Sequence, residues 1–153
     1  MSASTGSVTY GDDPKFLGVV ELVRVVVVGP NPPCIRCHRI LKLLREIKNE
    51  EGLDMEIMHV VAGSEESEKY GCIVDSHVFL DSLGVDISEL DRLFEKRDFK
   101  GIDEWLAPYV EKAKGKGIML TPVVVVNGKV KSVCTVPEKE ELRKLIREAV
   151  TVG

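Results

Sequence analysis

Hydrophobic positions along the chain follow patterns of different period, and each predicts a different element. The first strong element is Val19 to Val28, which ends in a continuous apolar, β-branched run of four valines before Gly29. A run of that kind suits a strand buried on both faces of a sheet. Beyond Gly29-Pro30-Asn31-Pro32-Pro33 the period changes. Ile40, Leu43, Leu44 and Ile47 fall at i, i+3, i+4 and i+7, while Lys42, Arg45 and Glu46 fall outside that stripe, so a helix is predicted, with Gly52 as its stop. Met55 to Val61 reads as a second strand, which makes a βαβ unit whose crossover should be right-handed.

The C-terminal part is read in the same way. Val123 to Val126 predicts a strand, Asn127-Gly128 is the preferred two-residue hairpin turn, and Lys129 to Cys134 returns antiparallel. Thr135 and Glu138 have capping-box spacing ahead of a stripe of Leu142, Leu145, Ile146 and Ala149, which predicts a last helix. Residues 62–116 separate the two halves and are too many for a structureless loop. Ser88 or Asp86 is placed to cap a helix carrying Leu90, Leu93 and Phe94, and Ile102, Trp105, Leu106 and Tyr109 form another stripe. An earlier helix over 67–83 is weakened by Gly71. Met1 to Pro14 is rich in Ser, Thr, Gly and Asp and predicts a mobile tail, taken as 1–17, ahead of a single domain over 18–153.

Composition removes several function classes. Apolar residues make up 44% and charged residues 30%, a globular mixture. The 21 basic and 25 acidic side chains leave a net charge of −4, which argues against a nucleic-acid module or a polybasic membrane anchor. No apolar run approaches membrane-spanning length, and the N-terminus lacks the basic start and apolar stretch of a secretion signal, so a cytoplasmic, reducing location is expected. In that setting paired cysteines are more often catalytic or metal-binding than structural.

Of the four cysteines, at 34, 37, 72 and 134, only the first two are close in sequence. Cys34-Ile35-Arg36-Cys37 stands where the buried strand gives way to the amphipathic helix. Cys34 is therefore expected near the helix N-terminus, where unpaired N–H groups and the positive end of the dipole favour thiolate over thiol. Arg36, His38 and Arg39 add positive charge nearby. Cys37 lies one turn further in, more shielded. One attacking and one resolving sulfur is what exchange through a mixed disulfide requires.

The order strand, C-x-x-C, helix, strand, then Thr121-Pro122 opening a hairpin and a last helix, resembles the thioredoxin-fold superfamily. Gly117-Ile118-Met119-Leu120-Thr121-Pro122 with Val123 to Val130 looks most like its compact redox-active disulfide group of small thioredoxin-like proteins. The resemblance covers about residues 21–61 and 117–150. It implies an α/β, βαβ…ββα three-layer sandwich, with residues 62–116 as a helical insertion before the cis-proline hairpin. It also implies that Thr121-Pro122 is a cis bond facing the dithiol, that the backbone beside Pro122 can hold an extended substrate segment, and that no bound cofactor is needed. Two positions depart from the best-known thioredoxins: Pro33 replaces the usual Trp before the first cysteine, and Val28 is apolar near where those proteins bury an acidic proton carrier.

The expected activity is that of a dithiol–disulfide oxidoreductase. Cys34 and Cys37 would be catalytic, Pro33, Thr121 and Pro122 would bind substrate, and Arg36 and His38 would tune the thiolate. Partners would be a disulfide-bearing protein or small thiol and an electron-donating reductase. Counting outward from Asn127-Gly128 puts Cys134 opposite Thr121, so it is a candidate third thiol, with a small buried hydrophobe as the plainer reading. A metal-binding or metallochaperone module using the same cysteines, with Cys72, His38 or Cys134 added, and a low-turnover interaction module on the same scaffold are the alternatives. Cys34 to His38 also matches the C-x-x-C-H haem attachment motif, which the missing export signal argues against. His59, in an apolar strand, reads as a satisfied core or edge histidine.

Overall fold

The computed structural model describes residues 22–152. The expected tail over 1–17 and the start of the first strand at Val19 lie outside the described residues. The first strand, β1, is Val23–Gly29, followed by α1 (Ile35–Glu51) and β2 (Met55–Val61). Gly52 closes α1 in the left-handed region at φ 61°, which a side chain would resist. At the other end come β5 (Val123–Val126), β6 (Lys129–Val133) and α6 (Lys139–Val152). The main sheet has the order β2-β1-β5-β6, with β1 parallel to β2 and antiparallel to β5.

The valine runs follow from this order, because β1 and β5 are the two inner strands. Side chains alternate across a strand, so Val23, Val25, Val27, Val124 and Val126 face one layer with α1 and α6. Val26, Val28, Val123 and Val125 face the other with Val60, Ile73 and Met119. Both faces are covered, hence apolar residues at successive positions. A charged seam ties α1 to α6 at the surface: Lys139 meets Glu46 and Glu50, Arg143 meets Glu50 and Glu51, and Arg147 meets Glu51.

The region between β2 and β5 is less uniformly helical than its sequence suggests. The helix expected over 67–83 is broken into α2 (Glu65–Glu68), β3 (Cys72–Val74) and α3 (Ser76–Leu83). Gly71, at φ 126°, marks the break, and a Cβ there would meet the Met119 side chain at 2.7 Å. β3 pairs in parallel with β4 (Ile118–Leu120) as a separate two-stranded sheet. The two later helices arise as expected, α4 (Ser88–Lys96) and α5 (Phe99–Lys114), and Leu90, Ile102 and Leu106 are fully buried with Leu80, Leu120 and Cys134. Asp86 accepts from the Ser88 N–H at 3.0 Å, although Ile87 is the residue at the cap.

Two local expectations at the C-terminal end change. The cap of α6 uses Glu138 and Glu141, whose carboxylate accepts from the Glu138 N–H at 3.1 Å, while Thr135 instead pairs with Ser132 at 2.7 Å. The β5–β6 hairpin carries a bulge: Val125 pairs with Val130, but Val124 pairs with Ser132, so Lys131 is an extra residue. The count from the turn therefore slips by one. Cys134 lies opposite Pro122 rather than Thr121 and donates its N–H to the Pro122 carbonyl at 2.7 Å.

Candidate active site

β1 delivers the chain to α1 through Pro30 to Pro33, and Cys34 occupies the N-cap with extended backbone, φ −79° and ψ 174°. Its carbonyl accepts the first bond of the helix from the His38 N–H at 2.9 Å. Cys34 is half-buried, whereas Cys37, one turn on, is fully buried against the valines of β1 and Ile40 and Leu44. The two sulfurs are 3.7 Å apart, a reduced pair in contact. Both Asn31–Pro32 and Thr121–Pro122 are cis.

Electrostatics separate the two thiols. The Cys34 pKa is lowered to about 6, chiefly because the Cys37 S–H can donate to its thiolate. Burial opposes the shift, and the amide N–H groups of Cys37 and Arg36 and the Arg36 charge support it. No side-chain hydrogen bond of full geometry closes this cap, so those amides act as nearby positive ends of dipoles. The Cys37 thiol is pushed far up, first by the same contact with Cys34 and then by burial.

Arg36, between the cysteines, is the centre of a buried network. It is 2% exposed. Its guanidinium meets Asp103 of α5 at 2.8 Å, donates to the Cys134 carbonyl at 2.6 Å, and reaches the Thr121 carbonyl at 3.4 Å. Asp103 also accepts from the Val136 N–H at 3.0 Å. Burial raises the Asp103 carboxyl above the usual range, against the pull of the Val136 N–H and Arg36. One side chain thus joins the dithiol helix, the proline loop and the region between β2 and β5. No sequence signal indicated Asp103 as its partner.

The surroundings of Pro122 differ from an open edge. Thr121 is buried, its N–H donates to the Val74 carbonyl at 3.1 Å, and its carbonyl accepts from the Ser76 hydroxyl at 2.5 Å. The Thr121 hydroxyl accepts the Ser76 N–H at 3.1 Å. Backbone groups expected to face a substrate are thus satisfied within the chain. Pro122 is buried, Pro33 is half-buried beside Cys34, and His38 is exposed. Cys134 is buried at φ 56°, its sulfur 3.9 Å from both terminal guanidinium nitrogens of Arg36 and 3.5 Å from the Ser76 hydroxyl. Cys72 is exposed on β3. Among the described residues no group of three or more His, Cys, Asp or Glu side chains is placed to hold a metal, and no helix is long and apolar enough to cross a membrane.

Gly29 is a position where the site tolerates no side chain. A Cβ there would lie 2.3 Å from the Cys37 sulfur. Gly29→Ala is therefore expected to cost about 1–3 kcal/mol by overpacking and to displace Cys37. Urea unfolding and the rate of dithiol oxidation measure the two effects.

A sequence model for the thioredoxin domain matches residues 107–147, from the second half of α5 through Thr121-Pro122 and the hairpin into α6. No curated protein and no solved structure matches the chain significantly. The match reaches neither cysteine of the pair. The sheet order β2-β1-β5-β6, with α1 and α6 on one face, extends the likeness over the N-terminal half, and the chain has a thioredoxin-like α/β fold.

Proposed function

We propose that the protein is a dithiol–disulfide oxidoreductase of the small redox-active disulfide type, working through Cys34 and Cys37. The observation that carries this reading is the asymmetry of the pair: sulfurs 3.7 Å apart, one half-buried with its pKa near 6, the other buried and held as a thiol. Attack by the Cys34 thiolate on a disulfide gives a mixed disulfide, and Cys37 then displaces the substrate thiolate. The chain supplies both electrons as its dithiol becomes a disulfide. A reductase or low-molecular-weight thiol in a reducing compartment would restore it, with no bound cofactor.

The arrangement around Pro122 favours a particular manner of approach. An extended polypeptide seeking the Thr121 backbone would have to displace Val74 and Ser76, so a small disulfide, or one on a short protruding loop, fits better at Cys34. The metal-binding alternative has less support, because the Cys134 sulfur is flanked by the Arg36 guanidinium, which repels a cation. A redox titration with thiol counting and metal analysis tests the proposal. A reversible two-electron couple that vanishes in Cys34→Ser and in Cys37→Ser is expected. Its absence from folded, metal-loaded protein would refute the proposal.

A further inference from the structure

Resolving a mixed disulfide requires Cys37 to lose its proton, yet burial and its contact with Cys34 both hold that proton in place. Cys37 belongs to an apolar cluster that includes Val25 and Val27 of β1 and Ile40, Leu41 and Leu44 of α1. The side facing Gly29 is different. The point where a Cβ would sit is 2.3 Å from the Cys37 sulfur and 3.4 Å from Nε2 of His59. The Cys37 sulfur takes up the place that a side chain at 29 would need, with Nε2 of His59 close beside it. They are thus at most about 6 Å apart, a gap that one bridging water or a modest ring rotation closes.

His59 is carried there by β2. The parallel register sets it beside Val27, two residues before Gly29. Its ring is half-buried, but Nε2 itself is fully buried and has no hydrogen-bond partner. The satisfied histidine expected from the sequence is thus unsatisfied at one nitrogen, and leaving such a group unpaired costs stability unless it serves another purpose. Burial, assisted by the charge of His38, lowers the His59 pKa. A neutral ring with its proton on Nδ1 presents the Nε2 lone pair toward Cys37.

We propose that His59 is the base that deprotonates Cys37 during resolution, an inference that rests on the exchange activity proposed above. The Cys37 S–H proton passes to Nε2, directly or through one water. The resulting thiolate attacks the Cys34 sulfur, the Cys34–Cys37 bond forms, and the bond from Cys34 to the substrate sulfur breaks. The substrate leaves as a thiolate carrying the electron pair, and the imidazolium returns its proton to solvent. Among the described residues, the titratable groups that bear on His59 are Cys37, across Gly29, and, from the first turn of α1, the exposed His38. In the reverse direction the same ring returns a proton to Cys37.

The aryl disulfide DTNB separates the two steps, since attack by Cys34 and resolution by Cys37 each release one coloured thiolate. With Cys72→Ser as the parent, removing the exposed thiol, His59→Gln and His59→Phe should leave the first release unchanged. The second should slow by on the order of 10² near neutral pH. Its pH profile should also lose the inflection at the imidazole pKa and rise continuously with hydroxide. An unaltered second release in both variants overturns the role of His59 while leaving the exchange reading intact. Absence of any release from Cys34 in the parent overturns both. If neither variant folds, proton NMR of His59 in the parent decides: its pKa should differ between the dithiol and the disulfide, and equal values contradict the proposal.

Discussion

Alkylation of Cys34 in the reduced protein, with Cys72 replaced by Ser, is expected to follow a single ionisation with a midpoint near pH 6. The rate should fall about tenfold per pH unit below that point and be flat above it, since only the thiolate reacts. Cys37 stays protonated and buried throughout and should not be modified. The leading cause of the shift is donation from the Cys37 S–H, so Cys37→Ala should move the midpoint upward even though it removes no charge. The sign for stability follows by linkage. A thiol whose pKa is depressed on folding stabilises the reduced fold fully above the unfolded value, about 8.5, and that contribution is lost as pH falls through 6. Urea unfolding of the dithiol form should show this loss, and the disulfide form should not.

Replacing Arg36 by Met should produce the largest loss of stability of any single change at the site. The substitution roughly preserves volume but leaves the Asp103 carboxylate without its cation and removes the donor to the Cys134 and Thr121 carbonyls. Breaking a buried pair costs about 3–5 kcal/mol. The Asp103 side chain keeps 19% of its exposure and can draw on water, so the low end, about 3 kcal/mol, is expected. Asp103→Leu added to Arg36→Met should recover part of the loss, because the orphaned carboxylate is then gone. A double-mutant cycle by urea unfolding measures the coupling directly. The same Arg36→Met variant should raise the Cys34 midpoint, since the Arg36 charge favours its thiolate. Independent additivity of the two changes would mean that the guanidinium and carboxylate do not act as a pair.

The sequence displays those parts of the fold whose signals are local. Four valines before Gly29, a stripe from Ile40 to Ile47 and Asn127-Gly128 each impose one conformation on a few neighbouring residues, so β1, α1 and the hairpin are legible. The two cysteines at the start of α1 are legible for the same reason. What is not legible depends on contacts between distant residues. Lys131 bulges out of the hairpin, and no residue near it announces the slip that places Cys134 opposite Pro122. β3 is three residues long and owes its conformation to β4, some 46 positions later, while Gly71 only marks the break. Arg36 reads only as positive charge beside the thiolate because its partners, Asp103, Thr121 and Cys134, come from elsewhere in the chain. His59 likewise reads as a passive strand residue until β2 is set beside Gly29 and Cys37.

The insertion between the halves acquires a definite relation to the dithiol through these contacts. Ser76 and Val74 cover Thr121, and Asp103 holds the arginine that lies between the two cysteines. The proline loop and the attacking helix are therefore braced by a segment that no sequence pattern connects to them. Movements of α5 would reach the reactive thiol through one ion pair.

Trapping the mixed disulfide tests the central claim most directly. Cys37→Ser protein, with Cys72 also replaced by Ser, is incubated with a small disulfide and read by intact mass and peptide mapping. The account predicts one adduct, on Cys34, formed at neutral pH and suppressed as the pH falls and the thiolate is protonated, with the unsubstituted dithiol releasing the same adduct as it closes. No adduct, or one carried by Cys134 with Cys34 unmodified, would contradict it.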